Sequence, residues 1–253
     1  MIEPGITKQF QKIVAIGESI TAGGSASSYG KCWASRLLEL IGEFQFEAPV
    51  LINKGIGSNI LCKDSLCYLY ASHPVGEARV FRDMIDHQPD LALISFGLND
   101  MRGGTNPAIF KETLSGFVQT VKKETSALIV LLGMYYMTGY DRYGEIWAFG
   151  SDKNAYMFNE IIRETADENS VLFADIFSAL NSTKWFLDAD GVHANDLGHA
   201  IIANKVFEVI AQSSSSLADK ANGAIAEKPG WRDESALVDE NSLERYKEML
   251  QKR

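Results

Sequence analysis

Residues 13–21 read IVAIGESIT, a short apolar run that passes directly into a turn with a small hydroxyl side chain at Ser19. Such a run is typical of a buried strand. Similar runs recur along the chain and are separated by segments with helical spacing of their apolar residues. The predicted strands are Ile13–Ile16, Val50–Ile52, Leu91–Phe96, Leu128–Leu132 and Val171–Ala174.

The segments between these strands predict helices. Their ranges are Lys31–Ile41, Glu77–His87, Ala108–Thr125, Lys153–Glu168 and Ala194–Ala211. In the second of them, the inward-facing residues are expected to be Val80, Phe81, Met84 and Ile85. Strands joined by helices imply a parallel sheet with right-handed crossovers. We therefore predict an α/β fold with three layers, α/β/α, around a five-stranded parallel sheet.

Two short segments far apart in the chain contain the parts of an activated serine. Ser19 follows the first predicted strand, and Asp190 precedes His193 by three residues. A serine hydroxyl needs a base to become a good nucleophile, and histidine titrates near neutrality. A carboxylate can hold one imidazole nitrogen protonated and leave the other free to accept. Each segment also has an ordinary interpretation as a turn serine or a surface pair.

Two further segments follow predicted strands. Residues 53–58 follow the second strand and residues 97–100 follow the third. In an open parallel sheet such junctions lie at the carboxyl edge, where ligands bind. The Asn99 amide and a backbone N–H of the glycine-rich loop could donate to a developing oxyanion. Alternatively, Asn99 closes an Asx-turn and the glycines permit a tight bend. Four such segments in one chain favour the catalytic interpretation.

In these four segments the chain resembles the SGNH (GDSL) hydrolases, over roughly residues 12–212. The run Asp190–His199 is also similar to the family's passage into its final helix. The resemblance implies a flavodoxin-like fold with strand order 2-1-3-4-5 and ester hydrolysis without a metal or other cofactor. It implies Ser19 as nucleophile, His193 as base and Asp190 as the residue that orients the base. The oxyanion hole would comprise the Ser19 N–H, an N–H of the second segment and the Asn99 amide.

The chain departs from the family pattern at two positions. Glu18 stands where the family usually has aspartate, and we expect changed hydrogen bonding in the turn rather than lost activity. Ser58 stands where a glycine usually donates its N–H; serine keeps the N–H but resists a positive φ. Register assigns the donor to Ser58, with Gly57 as the alternative. Thr21 occupies a position where the nucleophile elbow of α/β-hydrolases needs glycine, which disfavours that class.

Residues 134–151 form a long loop after the fourth strand and are rich in aromatic side chains. The loop leaves the carboxyl edge of the sheet, so we hypothesise that it shapes the substrate pocket. Tyr140 and Trp147, together with Gly57, are the predicted substrate contacts. Alternatively, the aromatic residues form a satellite cluster that packs the loop down.

Composition limits the possible partners and compartments. A net charge of −9 argues against a nucleic-acid partner. The three cysteines, Cys32, Cys62 and Cys67, cannot all pair within one chain and are interpreted as free thiols of a reducing compartment. The chain shows no signal peptide and no apolar run of membrane-spanning length. We expect a cytoplasmic protein, or a secreted one whose leader has been removed.

The last part of the chain is predicted to be an extension, residues 213–253, that follows a hydrolase domain of residues 1–212. Its serine run, residues 213–216, is typical of a linker. Ser242–Lys252 predicts an amphipathic helix with Leu243, Tyr246 and Leu250 on one face. This helix could dock on the core, bind a second copy of the chain or extend freely into solvent, and Trp231 favours docking.

These features together predict a serine esterase. The expected substrates are short acyl esters, such as O-acetyl groups on carbohydrates, since the chain lacks the long apolar lid of an interfacial lipase. The alternatives are an acyltransferase, a thioesterase or lysophospholipase-type acyl hydrolase, and a ligand-binding module without turnover. Four intact residues, Ser19, Asn99, Asp190 and His193, disfavour the binding module.

Overall fold

A computed structural model of the protein describes residues 9–180, 183–214, 217 and 240–251. Five strands form one parallel sheet in the order β2-β1-β3-β4-β5. The strands are β1 (Lys12–Gly17), β2 (Val50–Gly55), β3 (Leu91–Ser95), β4 (Leu128–Leu132) and β5 (Leu172–Ala174). The predicted parallel sheet, its five strands and its strand order are confirmed.

Helices cover both faces of this sheet. They are α1 (Ser19–Ala22), α2 (Trp33–Phe44), α3 (Val80–Asp83), α4 (Leu98–Arg102), α5 (Pro107–Glu124), α6 (Asp152–Glu168), α7 (Ile176–Leu180), α8 (Asp196–Ser213) and α9 (Glu240–Gln251). Shorter 3-10 turns lie at Tyr29–Lys31, Tyr68–Tyr70, Gly76–Arg79, Ile85–His87, Glu145–Trp147 and Lys184–Phe186. Helix α8 packs against α2 and α7, while α5 packs against α3 and α6, so the predicted three layers are confirmed.

Local capping sets the starts of the long helices. Asn106 accepts the Ala108 N–H at the start of α5, and Pro107 occupies the first helical position, where its missing N–H costs nothing. Ser151 caps α6 through the Asn154 N–H. Asn195 accepts two N–H groups at the start of α8. These caps explain why α5, α6 and α8 begin within two residues of the predicted positions.

The predicted helix over Glu77–His87 is wrong as a single element. The segment is a 3-10 turn, the four-residue α3 and a second 3-10 turn. Phe81 was expected inside but is 55% exposed, whereas the Arg79 side chain is fully buried. Val80, Met84 and Ile85 are buried as expected, and the Arg79 guanidinium, which donates to the carbonyl oxygens of Gly17 and Lys54, is buried with them. The apolar periodicity of the segment therefore gave the wrong orientation for Phe81.

The register of the sheet brings three loops to one edge. Gly17 at the end of β1 lies beside Gly55 of β2 and Ser95 of β3. The Gly55 backbone approaches α1 so closely that a Cβ there would lie 2.1 Å from the Ala22 nitrogen. Glycine is therefore required for α1 to follow β1 directly. The loops after β1, β2 and β3 meet at the carboxyl edge, as expected for the ligand-binding edge of a parallel sheet.

Less of the C-terminal extension is described. The predicted boundary at residue 212 falls one residue before the end of α8, which takes in Ser213 of the predicted linker. Leu217 is buried against the main core. Helix α9 covers most of the predicted Ser242–Lys252 helix, and its Leu250 is exposed. Trp231 lies outside the described residues.

The structure also bears on the three cysteines and on the possibility of a membrane-spanning helix. Cys32, Cys62 and Cys67 are all buried free thiols. Across the residues that the structure describes, none of the helices is both long enough and apolar enough to cross a membrane.

Candidate active site

The structure brings Ser19, His193 and Asp190 into one hydrogen-bonded chain. Ser19 begins α1 directly after β1, while Asp190 and His193 lie in the turn before α8. His193 Nε2 lies 3.0 Å from Ser19 Oγ, and His193 Nδ1 lies 2.5 Å from Asp190 Oδ2. With Asp190 ionised, Nδ1 donates its proton to the carboxylate and Nε2 remains free to accept the serine proton. This geometry can convert a serine hydroxyl into a nucleophile.

The acid–base turn is held mainly by its own backbone. Asp190 Oδ1 accepts the N–H groups of Val192 and His193 at 2.8 and 3.0 Å. Burial opposes ionisation, but hydrogen bonds from the His193 N–H, the Tyr143 hydroxyl and the imidazole outweigh it and hold the pKa of Asp190 well below its usual range. Gly191 turns the chain at a φ of 68°, a left-handed value that favours glycine. Asp190 is therefore fixed as a carboxylate beside the imidazole.

A cavity of about 210 Å³ opens onto the serine. Its walls combine predicted site residues with three that were not assigned to the site. The lining residues are Ser19, Gly57, Ser58, Asn99, Arg102, Tyr143, Trp147, Val192 and His193. Gly57 and Trp147 thus lie where the sequence placed substrate contacts. Tyr140 is absent from this lining, which consists of described residues only; its hydroxyl donates instead to Asp152 at 3.0 Å.

The predicted oxyanion donors converge on the same cavity. Ser58 has a φ of 53°, the conformation that the sequence expected serine to resist. Within the described part of the chain, the backbone N–H groups of Ser19 and Ser58 have no protein acceptor. The Asn99 amide Nδ2 donates one hydrogen to the Asn59 carbonyl oxygen at 2.9 Å, and its second hydrogen remains available. The three donors can therefore address one oxygen in the cavity.

Glu18 supports the Asn99 loop rather than its own turn. Its side chain makes no capping bond to α1; Oε1 instead accepts the backbone N–H of Asn99 at 2.9 Å and of Gly97 at 3.4 Å. Glu18 is only 4% exposed. Burial, aided by the neighbouring Asp100, raises the pKa of Glu18 to about 8 against the effect of the backbone hydrogen bonds. The longer glutamate thus links the first and third segments of the site.

A buried polar network supports the second loop, and sequence reasoning did not find it. The Asn59 amide donates to the carbonyl oxygens of Ser72 and Pro74, and its Oδ1 accepts from Arg79 Nη2 at 2.8 Å. Arg79 also donates to the carbonyl oxygens of Gly17 and Lys54. The guanidinium therefore ties the ends of β1 and β2 to the loop that carries Ser58. No periodic pattern marks such a residue, because its partners are distant in sequence.

Two more residues of the cavity wall, Tyr143 and Arg102, were not assigned to the site from sequence. The Tyr143 hydroxyl donates to Asp190 Oδ2 at 2.7 Å, and its ring lies edge-on to His193 with centroids 6.2 Å apart. Arg102 lies in α4, three residues after Asn99, and is 3% exposed. The i, i+3 spacing was the available signal, since such residues share a helix face.

The aromatic loop combines both of its predicted roles. Trp147 lines the cavity and also packs with Ile60, Cys67 and Val75 in a small separate apolar cluster. His199, the nearest histidine in sequence, lies on α8 away from the serine. Its Nδ1 accepts the Trp33 N–H, and its Nε2 bonds the Gly24 carbonyl oxygen. Among the described residues, no group of three or more histidine, cysteine or acidic side chains is arranged to hold a metal ion.

Comparison with known sequences places the site in context. A sequence profile of the GDSL-like lipase/acylhydrolase family matches residues 15–201, a range that contains all the site residues described above. An arylesterase from Vibrio mimicus is 25% identical to the chain over 201 residues, which are 78% of this chain and 87% of that protein.

Solved structures share the fold at low sequence identity. A lipase/acylhydrolase from Enterococcus faecalis superposes with a TM-score of 0.62 at 20% identity, covering 80% of this chain and 96% of that one. Axe2, an acetylxylan esterase from Geobacillus stearothermophilus, superposes with a TM-score of 0.60 at 23% identity, covering 83% and 96%. At such identities the likeness concerns the fold, because one fold hosts many substrates.

Proposed function

The chain belongs to the GDSL-like lipase/acylhydrolase family and is an ester-hydrolysing enzyme, and we propose that it acts through an acyl-enzyme on Ser19. The observation that carries this proposal is the continuous hydrogen-bonded chain from Ser19 Oγ through His193 to Asp190. Nucleophile, base and orienting carboxylate are all at hydrogen-bonding distance before any substrate is bound.

The reaction follows from these contacts. Ser19 Oγ attacks the ester carbonyl carbon while His193 Nε2 takes the hydroxyl proton. The tetrahedral intermediate collapses as the C–O bond to the alcohol breaks, and the imidazolium gives its proton to the leaving alkoxide. Water then attacks the acyl-enzyme with the same imidazole as base, releasing the acid and restoring the serine. Asp190 keeps the imidazole in the required tautomer and stabilises the imidazolium in both halves of the reaction.

Three donors are assigned to the oxyanion. They are the backbone N–H groups of Ser19 and Ser58 and the free hydrogen of the Asn99 amide. Donors fixed in advance stabilise charge that develops in the transition state without reorganising during the reaction. The left-handed backbone at Ser58 supports the assignment to this residue rather than to Gly57, since it reproduces at Ser58 the conformation for which glycine is favoured.

The size of the cavity supports a short acyl group. Its volume of about 210 Å³ is below the roughly 300–1,000 Å³ of pockets that enclose drug-sized ligands. The Trp147 and Tyr143 side chains form aromatic walls that suit a sugar ring or a small acyl chain. The name of one structurally similar protein, an acetylxylan esterase, agrees with acetyl-type esters, and that of the similar arylesterase agrees with ester hydrolysis. We assign O-acetyl groups, with a carbohydrate as the favoured alcohol.

The test compares initial rates for 4-nitrophenyl acetate, butyrate and octanoate. The proteins are the wild type, Ser19→Ala and, as matched control, Ser35→Ala, which removes a buried hydroxyl with no partner among the described residues. We expect turnover by the wild type and the control that falls with acyl length, and none above background by Ser19→Ala. Rates that rise with acyl length would contradict the short-acyl assignment. Equal turnover by Ser19→Ala would contradict the nucleophile assignment.

A further inference from the structure

Arg102 is a buried cation on the wall of the active-site cavity. It lies in the same short helix as Asn99, three residues further on, so the two side chains share a helix face. Its side chain lines the cavity together with Ser19 and His193, although the residue is only 3% exposed. A charged group in this position is close to the reacting serine yet has no part in the proton transfers described above.

The guanidinium is incompletely bonded. Arg102 Nη2 donates to the Arg142 carbonyl oxygen at 2.6 Å, and the group lies over the Tyr143 ring with Cζ 5.7 Å from the ring centroid. Arg102 Nε is buried and has no hydrogen-bond partner among the described residues. Within the described part of the chain, no carboxylate forms an ion pair with Arg102.

Two carboxyl groups, those of Asp190 and Glu18, interact electrostatically with Arg102 and have other hydrogen-bond partners. Asp190 accepts hydrogen bonds from His193, Val192 and Tyr143. Glu18 accepts backbone N–H groups of the Asn99 loop, and burial raises the pKa of Glu18 to about 8, which disfavours its ionised form. A buried charge without a counter-ion is costly, and proteins normally compensate it with a paired group. A guanidinium that lacks an ion-pair partner in the described part of the chain can pair with an anion of the substrate.

We infer that Arg102 binds a carboxylate on the alcohol part of the ester, which makes acetyl esters of acidic sugars the preferred substrates. The inference rests on the proposed esterase function. A planar guanidinium matches a carboxylate with parallel N–H donors, which a lysine ammonium does not do. The carboxylate is placed on the alcohol because the acyl group, on the other side of the scissile bond, is too short to carry it.

The net negative charge of the protein limits how an acidic substrate could be preferred. At a net charge of −9 the chain gains nothing from long-range attraction of an anionic ester. A preference for an acidic substrate over its neutral counterpart must therefore come from a local cation in the cavity. Arg102 is the cation among the residues that line it.

The test uses two acetyl esters that differ only in charge, 3-acetoxybenzoate and 3-acetoxybenzamide. We measure kcat and KM for both with the wild type, Arg102→Gln, Arg102→Lys and the control Arg163→Gln, which changes an arginine of the exposed α6 surface. The ratio of kcat/KM for the acid to that for the amide does not depend on how much of a variant is folded. Mono-4-nitrophenyl succinate and 4-nitrophenyl butyrate form a second pair, in which the charge lies on the acyl part.

We expect the wild type and Arg163→Gln to prefer the acid. Arg102→Gln should lower the acid-to-amide ratio by about thirtyfold, chiefly through KM, because the substrate carboxylate loses its buried partner. Arg102→Lys should keep part of the preference. An unchanged ratio in Arg102→Gln would overturn the inference and leave Arg102 as an anchor for the Tyr143 loop. A charge preference confined to the succinate pair would overturn the placement on the alcohol. Neither result affects the esterase proposal, which depends on Ser19-dependent hydrolysis of uncharged esters such as 4-nitrophenyl acetate.

Discussion

The two halves of the active site are built on different principles. The acid–base half is a single tight turn in which Asp190 accepts the N–H groups of Val192 and His193 as well as the imidazole. The oxyanion half is assembled from the ends of three strands, since Ser19, Ser58 and Asn99 follow β1, β2 and β3. Its geometry depends on buried polar side chains that belong to none of the catalytic segments.

The two halves should differ in which substitutions disturb their geometry. A local turn keeps its geometry as long as its own few residues are intact. A site made from three strand ends depends on every buried hydrogen bond that joins them, because an unpaired buried polar group carries its full desolvation cost. Substitutions at Glu18, Asn59 or Arg79 should therefore disturb the oxyanion half while leaving the Asp190–His193 turn in place.

The largest expected effect lies in the acid–base half. His193→Ala removes the base, and we expect kcat for 4-nitrophenyl acetate to fall by about 10⁴-fold or more, with little loss of stability. Initial-rate kinetics and chemical unfolding measure the two quantities. His73→Ala, which changes a histidine that contacts Tyr68 outside the cavity, should keep its activity. A fall of less than tenfold in His193→Ala would show that the imidazole is not the base.

The next largest effect is expected under the oxyanion half. Arg79→Met leaves the carbonyl oxygens of Gly17 and Lys54 without their donor, and we expect a loss of about 3–5 kcal/mol in the free energy of unfolding. Urea denaturation measures it. Arg82→Met is the matched control, because Arg82 also pairs with Asp83 but its side chain is 61% exposed; it should cost less than about 1 kcal/mol. Equal losses in the two variants would contradict the proposed role of Arg79.

Asn99→Ala removes one oxyanion donor and tests the oxyanion half directly. We expect kcat to fall by about 10²–10³-fold with little change in KM, because the amide stabilises charge that appears only in the transition state. The Asn59 carbonyl oxygen also loses its donor, so a circular-dichroism melt should accompany the kinetics. A rise in KM with unchanged kcat would assign the amide to ground-state binding instead.

The smallest expected effect is a pH dependence of stability from Glu18. The folded chain raises the pKa of this carboxyl through burial to about 8 from an ordinary value of 4.5, so the folded state holds the proton more tightly than the unfolded state. Stability from this group therefore falls as pH rises between these two values. The charged groups coupled to it are Asp100, Arg79 and Arg102.

The Glu18→Gln variant isolates this effect, because the amide oxygen can still accept the Asn99 N–H but does not titrate. We expect the variant to become more stable relative to the wild type by about 1 kcal/mol or more between pH ~6 and pH ~8. Urea denaturation at several pH values measures the difference. A stability difference that stays constant with pH would contradict the raised pKa.

The acid–base half of the site could be predicted from the sequence more fully than the oxyanion half. The strands are recognisable in the sequence as apolar runs. The Asp190–His193 segment is recognisable because its aspartate and histidine are only three residues apart and bond within one turn. The buried side chains that hold the oxyanion half could not be predicted, because their partners are distant in sequence. Glu18 bonds to the Asn99 loop, and Arg79 bonds to three separate segments. In the 77–87 segment, Arg79 is buried and Phe81 is exposed, whereas apolar periodicity predicts that Phe81 faces inward. Helices α1 and α4 were missed because four or five residues are too few to show a period.

The cavity wall was only partly predictable for a related reason. Of the predicted substrate contacts, Trp147 and Gly57 line the cavity, whereas the Tyr140 hydroxyl donates to Asp152 instead. Tyr143 and Arg102 are forty-one positions apart in the chain, yet they contact one another and both line the cavity with Ser19. Such a pairing depends on how the long loop folds back over α4, which composition and periodicity do not determine.

Active-site labelling can show whether Ser19 is an activated nucleophile. The wild type, Ser19→Ala and His193→Ala are treated with a fluorophosphonate, and the modified residue is located by peptide mass spectrometry. We expect a single phosphonyl group on Ser19 in the wild type, none in Ser19→Ala and much slower labelling in His193→Ala. Labelling at another residue, or labelling of Ser19 at an equal rate without His193, would contradict this role of Ser19.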